Sequence, residues 1–597
     1  MNKIFFQDAD ILTLLLNNTY QNQRELAVAS GHSLGVVNRC IKNLRQDGLL
    51  DNVGNVTAKG VNLLSERSPK KAIILAAGYG MRMVPINMET PKALLTVNGE
   101  VMIERTINQL HEAGISDIYV VVGFLKEKFE YLIDDFGVKL VMNTEYSRKN
   151  NIYSLWKAIK ALTKIEQADL SNTYIIPSDI WCERNPFSNQ ELLSWYMVSD
   201  LIDQDSKVRV NRKNELVKTD CLGNAMIGIS YLTGEEATAV QKNIEKMILD
   251  GRHDESFWED ALFEKDRMLV QAKVVHSSDF IELNTYEQLR DFDENSEQLK
   301  SRELETAATA LHCKVTDITN ISVLKKGMTN RSFLFEANGY KYIMRIPGEG
   351  TDQLINRREE AEVYTSISGK GFCDDPVYIN PENGYKITKF LNGVRTCDPE
   401  NAIEVEKCIK KLKTFHNMNL TVDHVFDIFG QIEFYEKLWK GSPSAYRDYE
   451  RTKQNVLSLK DYIEKTRDRW CLTHIDAVPD NFLFYQDASG NEQLQLTDWE
   501  YAGMQDPHVD IAMFAIYSYY DKKQVDQIID LYFDGTCEDK VRCKIYCYVA
   551  ACGLLWSNWT EFKSREGIEF GEYGLIQYRY AKDFYRYAQE MMERENV

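Results

Sequence analysis

No apolar run in this chain approaches the ~20 residues that a membrane-spanning helix needs. The N-terminus offers no signal-peptide core either, because Asp8 and Asp10 interrupt its only apolar stretch. Among the twelve cysteines no C-x-x-C pair occurs, which argues against zinc ribbons and a disulfide framework and points to a reducing cytoplasm. A basic excess is missing as well, and the formal net charge of -19 disfavours nonspecific binding of nucleic acid or of an anionic membrane by the chain as a whole. What is present is a soluble, globular composition, 44% hydrophobic and 27% charged. At 597 residues the chain exceeds the usual ~100 to 200 residues of one domain several-fold, so three domains are expected.

The most informative stretch is Lys71 to Lys92, KAIILAAGYGMRMVPINMETPK. Ala72 to Leu75 are a short apolar run suited to a parallel strand buried on both faces. Leu75, Ala76, Ala77, Gly78 and Gly80 then supply small residues where backbone must approach a ligand, and Arg82 and Lys92 bring two cations to the same loop. The dinucleotide fingerprint is excluded because its third glycine and following acid are missing, and a Walker A loop because no Gly-Lys-Ser/Thr follows. L-A-A-G-x-G-x-R followed by P-K resembles the nucleotidyltransferase superfamily that makes NDP-sugars and CDP-alcohols from NTPs.

Residues 1–68 read as a small helical module. Gln23 to Ala29 is a short helix ended by Gly31, and Ser33 caps a second helix with Val36, Val37, Cys40, Ile41 and Leu44 on one face. A tight wing follows around Asn52 and Gly54, and Thr57 caps a last helix. This order resembles winged helix-turn-helix regulators. DNA contact through Arg39, Lys42 and Arg45, or protein contact through the same fold, are both open. Eight Lys and Arg against six Asp and Glu over residues 1–70 leave a weak electrostatic footprint.

From 70 to 292 strands alternate with helices, as a mostly parallel, Rossmann-like α/β sheet requires, with ligands gathering at the carboxyl ends of the strands. Asp179 ends the strand Tyr174 to Pro177 and is suited to hold Mg2+ against triphosphate oxygens; a helix cap or loop acid is the alternative. The segment Asn150 to Trp156, NNIYSLW, resembles the bacterial choline-phosphate cytidylyltransferases. That resemblance implies CTP as co-substrate and a second metal carboxylate in an E-I-D segment. Here Glu282-Leu283-Asn284 stands in its place, so Glu282 and Asn284 join Asp179 as expected metal ligands, and Tyr153 and Trp181 as expected contacts of the choline head group. Residues 293–304 are charged and are expected to be linker or exposed helix.

A second phosphate-handling set occupies 306–597. Gly327, Thr329 and Asn330 lie in a turn between two strand-like stretches, Arg345 is on the next strand, and Glu360 lies in a helical pattern that could pair with it. His474-Ile475-Asp476 with Asn481, then Asp498, is H-x-D-x-x-x-x-N followed by a strand and an aspartate, the spacing of a kinase catalytic loop in a bilobal α+β domain. Asp476 is expected to accept the substrate hydroxyl proton, and Asn481 and Asp498 to hold Mg2+. GMTNRSF, DWEYAG and Gly553-Leu554-Leu555-Trp556-Ser557 resemble the choline and ethanolamine kinase family. A quaternary ammonium has no hydrogen-bond donor and is held by aromatic faces, so Trp499, Trp556 and Tyr573 are expected at the choline pocket, whereas Tyr501 and Trp559 read as core.

The resemblances together imply a multidomain α/β enzyme. ATP would phosphorylate choline, and CTP would convert phosphocholine to CDP-choline. The alternatives are the same chemistry on ethanolamine or another amino alcohol, and a transcriptional regulator that senses choline or CTP.

Overall fold

The computed structural model describes residues 5–86, 90–324, 330–348, 355–487, 489–565 and 570–595. Gly327 and Thr329 lie outside the described residues. The chain divides into two compact units, 1–305 and 306–597. No helix among the described residues is long and apolar enough to cross a membrane.

The first unit opens with helices Phe6–Asn17, Gln23–Ser30, Leu34–Gln46 and Ala58–Arg67. Asn22 caps the second, while Ser33 and Thr57 accept backbone N–H groups at the starts of the third and fourth, as their hydroxyls favour. The first helix was not read from the sequence, because its aspartates mask the apolar face of Ala9, Ile11 and Leu12. The wing is reduced to a single bridge, Leu50 to Val56. Leu192 and Leu193 of the following domain pack into this module's apolar core, and Arg67 donates to the Leu192 carbonyl at 3.1 Å.

Behind it lies a ten-stranded mixed sheet. Lys139–Met142, Asp117–Val122, Lys71–Ala76 and Thr173–Pro177 run side by side and parallel, and the sheet continues through the antiparallel strand Gly223–Leu232. Lys71–Ala76 is buried on both faces: Ile73 packs with Leu155 and Ile159 in one layer, and Ala72 and Ile74 with Ile103 and Ile107 in the other. The strand order reverses between Lys71–Ala76 and Thr173–Pro177, which makes their carboxyl ends the crevice where such sheets bind ligands. Residues 293–304 are partly exposed, at Glu294, Asn295, Glu297, Lys300 and Arg302, and run into the helix Arg302–Leu311, but they are anchored: Ser296, Ser301 and Leu304 are buried, and Ser296 donates to the Thr96 carbonyl at 3.0 Å.

The second unit begins with an antiparallel five-stranded sheet ordered Thr319–Val323, Asn330–Ala337, Tyr340–Pro347, Lys386–Lys389, Tyr378–Ile379, with the helix Arg357–Ile367 between its third and fourth strands. A helical lobe follows. Its long helix Asp539–Arg565 is buried along most of its length because it reads apolar on all sides, from Cys543 to Trp559.

Candidate active sites

In the first unit the glycine loop leaves the end of Lys71–Ala76 directly into a cavity of about 360 Å³ lined by Leu75, Ala76, Ala77, Gly78, Gly80, Arg82, Lys92 and Asp179 among others. Gly80 has φ +59°, a conformation that costs side-chain-bearing residues, and a Cβ on Gly78 would meet no atom of the described residues within 4 Å. Lys92 Nζ donates to Asp179 Oδ2 at 2.6 Å and to Asn284 Oδ1 at 2.7 Å, and Arg82 donates to the same amide oxygen at 3.2 Å. Asn284 reaches this place because Ile180–Cys182 pairs with Phe280–Glu282 and the Leu283 N–H donates to the Asp179 carbonyl at 3.0 Å.

The oxygens of Asp179 and Asn284 thus converge on one cationic point. Among the described residues no group of three or more His, Cys, Asp or Glu could hold a metal. A carboxylate and an amide facing one point nevertheless suit Mg2+, which takes one or two protein oxygens and completes its shell from water and phosphate. Glu282 does not join them. It is exposed, lies outside the cavity lining, and accepts from Asn284 Nδ2 at 2.6 Å, which turns the amide oxygen toward Lys92.

Neither expected head-group ring lines this cavity. Tyr153 lies under the ammonium groups of Lys149 (4.7 Å) and Lys157 (5.1 Å), and Trp181 is buried under the Arg105 guanidinium at 4.3 Å. Sequence reasoning missed Glu259, which does line it. Burial, with Asp260 and Asp179 nearby, pushes its pKa up to about 7. The asparagines of NNIYSLW brace the turn that delivers it. Asn150 Nδ2 donates to the Glu255 carbonyl at 3.0 Å, and Asn151 Oδ1 accepts the Trp258 N–H at 2.8 Å.

In the second unit Arg345 and Glu360 form a buried pair, with Arg345 NH2 2.8 Å from Glu360 Oε2 and Arg357 3.2 Å from the same oxygen. Burial alone would raise the Glu360 pKa, but the Arg345 charge outweighs it and holds the carboxyl below its ordinary value. Arg345 also lies 4.0 Å from Asp498 and 3.8 Å from Glu500, and it lines a cavity of about 750 Å³ together with Asp476, Asn481 and Asp498. Lys386, beside Arg345 in the sheet, lines the same cavity; no motif marked it in the sequence.

The catalytic-loop geometry is held from below. Buried Asp510 accepts the N–H groups of His474 (3.0 Å) and Ile475 (2.8 Å) and pairs with His416 at 2.9 Å. This sustains φ +70° at the β-branched Ile475, a strained conformation that delivers Asp476. Asn481 Nδ2 donates to the Asp476 carbonyl at 2.9 Å and to Asp476 Oδ2 at 3.1 Å, while Asp476 Oδ1 is shielded from solvent and has no hydrogen-bond partner among the described residues. Burial first, then the charges of Asp498 and Glu500, push the Asp476 pKa up to about 8. Asn481 and Asp498 supply the amide and carboxylate oxygens that fit Mg2+ here.

Four aromatic assignments change. Trp499 is 0% exposed; its Nε1 donates to the Leu496 carbonyl and its ring packs on His474 at 4.3 Å, so it is core. Tyr573 packs behind Tyr517 at 5.6 Å rather than lining the cavity. Tyr501 and Trp559 do line it, together with Trp556 and Tyr517. Tyr501 and Tyr517 each lie 5.9 Å from Trp556 and nearly perpendicular to it.

Comparison with known families is consistent with this division. The choline/ethanolamine kinase family matches residues 321–547, the MobA-like NTP transferase domain residues 72–182, and the winged helix-turn-helix DNA-binding family residues 7–51. The choline-phosphate cytidylyltransferase of Streptococcus pneumoniae is 31% identical over 38% of this chain and 97% of its own length. The 2-aminoethylphosphonate cytidylyltransferase of Lancefieldella rimae is 36% identical over 38% of this chain and 94% of its own. Protein LicA of Haemophilus influenzae is 28% identical over 42% of this chain and 75% of its own.

Proposed function

The chain belongs to the cytidylyltransferase branch of the NTP transferases and to the choline/ethanolamine kinase family, joined in one polypeptide behind a winged helix-turn-helix, and on that premise we propose that it performs two consecutive reactions. ATP phosphorylates an amino alcohol of the choline and ethanolamine class, and CTP then gives the CDP-alcohol and pyrophosphate. The observation that carries this reading is the presence of two separate sets of chemistry-bearing groups in one chain, Lys92 with Asp179 and Asn284, and Asp476 with Asn481 and Asp498, whose family reactions share an intermediate.

In the kinase half Asp476 accepts the proton of the alcohol, for which a pKa near 8 makes it a competent base, and Asn481 fixes its carboxylate. Arg345 and Lys386 offset negative charge at the phosphate end of the cavity. In the transferase half a phosphate oxygen of the acceptor attacks the α-phosphorus of CTP in line and pyrophosphate leaves. Lys92 and Arg82 counter the charge that develops on it, and the glycine loop brings backbone close to the triphosphate. Mg2+, held by Asp179 and Asn284 in one site and by Asn481 and Asp498 in the other, supplies further charge neutralisation when bound.

The aromatic set Tyr501, Tyr517, Trp556 and Trp559 supports choline as the alcohol, since each ring face contributes ~0.5 to 2 kcal/mol toward a quaternary ammonium. Similarity to a 2-aminoethylphosphonate cytidylyltransferase supports a primary amine. Incubation of the pure protein with choline or ethanolamine, ATP, CTP and Mg2+, followed by mass detection of the CDP-alcohol, tests the reading. Absence of both products from folded protein overturns it. Contact of the winged helix with DNA through the exposed Arg39, Lys42 and Arg45 belongs to the same proposal; a gel shift with intergenic DNA at low salt, where electrostatic binding is strongest, tests it.

A further inference from the structure

Resting on the cytidylyl-transfer reading above, we propose that Glu259 selects the acceptor, its carboxylate taking the N–H groups of a primary ammonium at the far end of a short alkyl phosphate or phosphonate.

Three observations converge on this. Glu259 lines the cavity that holds the glycine loop, Lys92 and Asp179. The Tyr196 hydroxyl donates to its Oε1 at 3.4 Å, but its Oε2 is shielded from solvent and has no hydrogen-bond partner among the described residues. A buried carboxylate oxygen left in that state is costly, and a donor arriving with the substrate removes the cost. The turn Trp258–Leu262 that carries Glu259 is fixed by Asn150 and Asn151, so the carboxylate is positioned before the substrate binds.

The second observation is the polarity of the cavity. Arg82, Lys92 and Lys149 line it and supply positive charge; of the two carboxylates in the same lining, Asp179 is paired with Lys92 at 2.6 Å, and Glu259 is the other. A zwitterionic acceptor matches this, its anionic phosphorus group going to the cations and its ammonium to Glu259. Burial first, and the nearby Asp260 and Asp179 charges, raise the Glu259 pKa, and an ammonium beside the carboxylate would offset both.

The third is how little ring face the cavity presents. A quaternary ammonium has no N–H to give and depends on ring faces. Among the described residues two rings line the cavity, Tyr146, which packs on Tyr79 at 5.0 Å, and Trp258, which is only 1% exposed, while Tyr153 and Trp181 are outside the lining with faces covered by Lys149 and Arg105. Glu259 adds a carboxylate oxygen to that lining, and it discriminates in favour of N–H donors.

The test uses the full chain with CTP and Mg2+ and three acceptors: phosphoethanolamine, 2-aminoethylphosphonate and phosphocholine. For the wild type we expect kcat/KM for at least one primary amine to exceed that for phosphocholine by about tenfold or more, and the first two arms separate phosphate from phosphonate. Glu259→Gln, which keeps the shape and removes the charge, should raise KM for the primary amine by about tenfold, with KM for CTP unchanged and Glu259→Asp recovering part of the loss. A wild type that prefers phosphocholine overturns the proposal, as does a Gln variant that loses CTP and all acceptors alike. The wild-type ranking decides the matter even if the variants fold poorly. CMP transfer to none of the three acceptors would overturn the transferase reading itself, and this inference with it.

Discussion

The Lys92 ammonium lies 2.6 Å from Asp179 Oδ2, a cation seated against the strand-end acid that the metal is expected to use. With Asn284 Oδ1 on its other side, Lys92 holds both oxygens in the place where Mg2+ and triphosphate meet. Lys92 therefore does two jobs, bracing the two oxygens against each other and offsetting phosphate charge once the nucleotide is present.

Removing it should silence one chemistry and spare the other. Lys92→Ala is expected to lower CMP transfer by ~100-fold or more while ATP-dependent phosphorylation of the alcohol continues. Asp476→Asn should do the reverse, because it removes the proton acceptor, a contribution worth ~100 to 10,000-fold. Mixing the two variants should then restore the CDP-alcohol from the free alcohol. Loss of both half-reactions in either folded variant would mean a shared site.

Asn284→Asp tests the metal set. A second carboxylate at the point where Asp179 and Asn284 converge should bind Mg2+ more strongly than the amide does, so half-maximal transfer should occur at lower Mg2+. An unchanged Mg2+ titration would show that Asn284 is not part of the shell.

Asp476 gives a pH dependence whose sign follows from its environment. Its folded pKa of about 8 exceeds the ordinary aspartate value, so at neutral pH much of it is protonated in the free enzyme. The kinase kcat/KM for the alcohol should therefore rise with pH toward a plateau above about 8. Stability runs the other way. The folded state holds a proton that the unfolded chain releases near the ordinary value, so the stabilisation is present at low pH and is lost as pH rises through about 8. Thermal melts of the wild type and Asp476→Asn between pH 5 and 9 should differ in slope; parallel curves would refute the shift.

The winged module is expected to matter for stability rather than for chemistry. A chain beginning at Ser68 exposes Leu192, now 2% exposed, and loses the Arg67 hydrogen bond to its carbonyl. Uncovering one such leucine costs on the order of 1.5 to 3 kcal/mol, so the first unit should melt earlier while both half-reactions persist. A truncated protein that folds yet performs neither reaction would place an essential group in residues 1–67.

What the sequence determined by itself was local. The continuous apolar run along Ala72 to Ala76, the glycine loop after it, the Ser33 and Thr57 caps and the spacing from His474 to Asn481 follow from backbone preference and short-range hydrogen bonding, which neighbouring residues specify. Tertiary structure decided everything that depends on which surface a side chain meets. Trp499 and Trp556 are alike in sequence, yet one packs in the core on His474 and the other lines the cavity beside Tyr517, a residue no motif marked. Glu282 and Asn284 are two residues apart on one short segment, and strand pairing with Ile180–Cys182 sends only the amide oxygen to Lys92. Glu259 is far from the glycine loop in the chain, and it enters the cavity because Asn150 and Asn151 pin its turn across a long separation. Contacts of that range are fixed by the packing of whole layers, which leaves no periodic trace in the sequence.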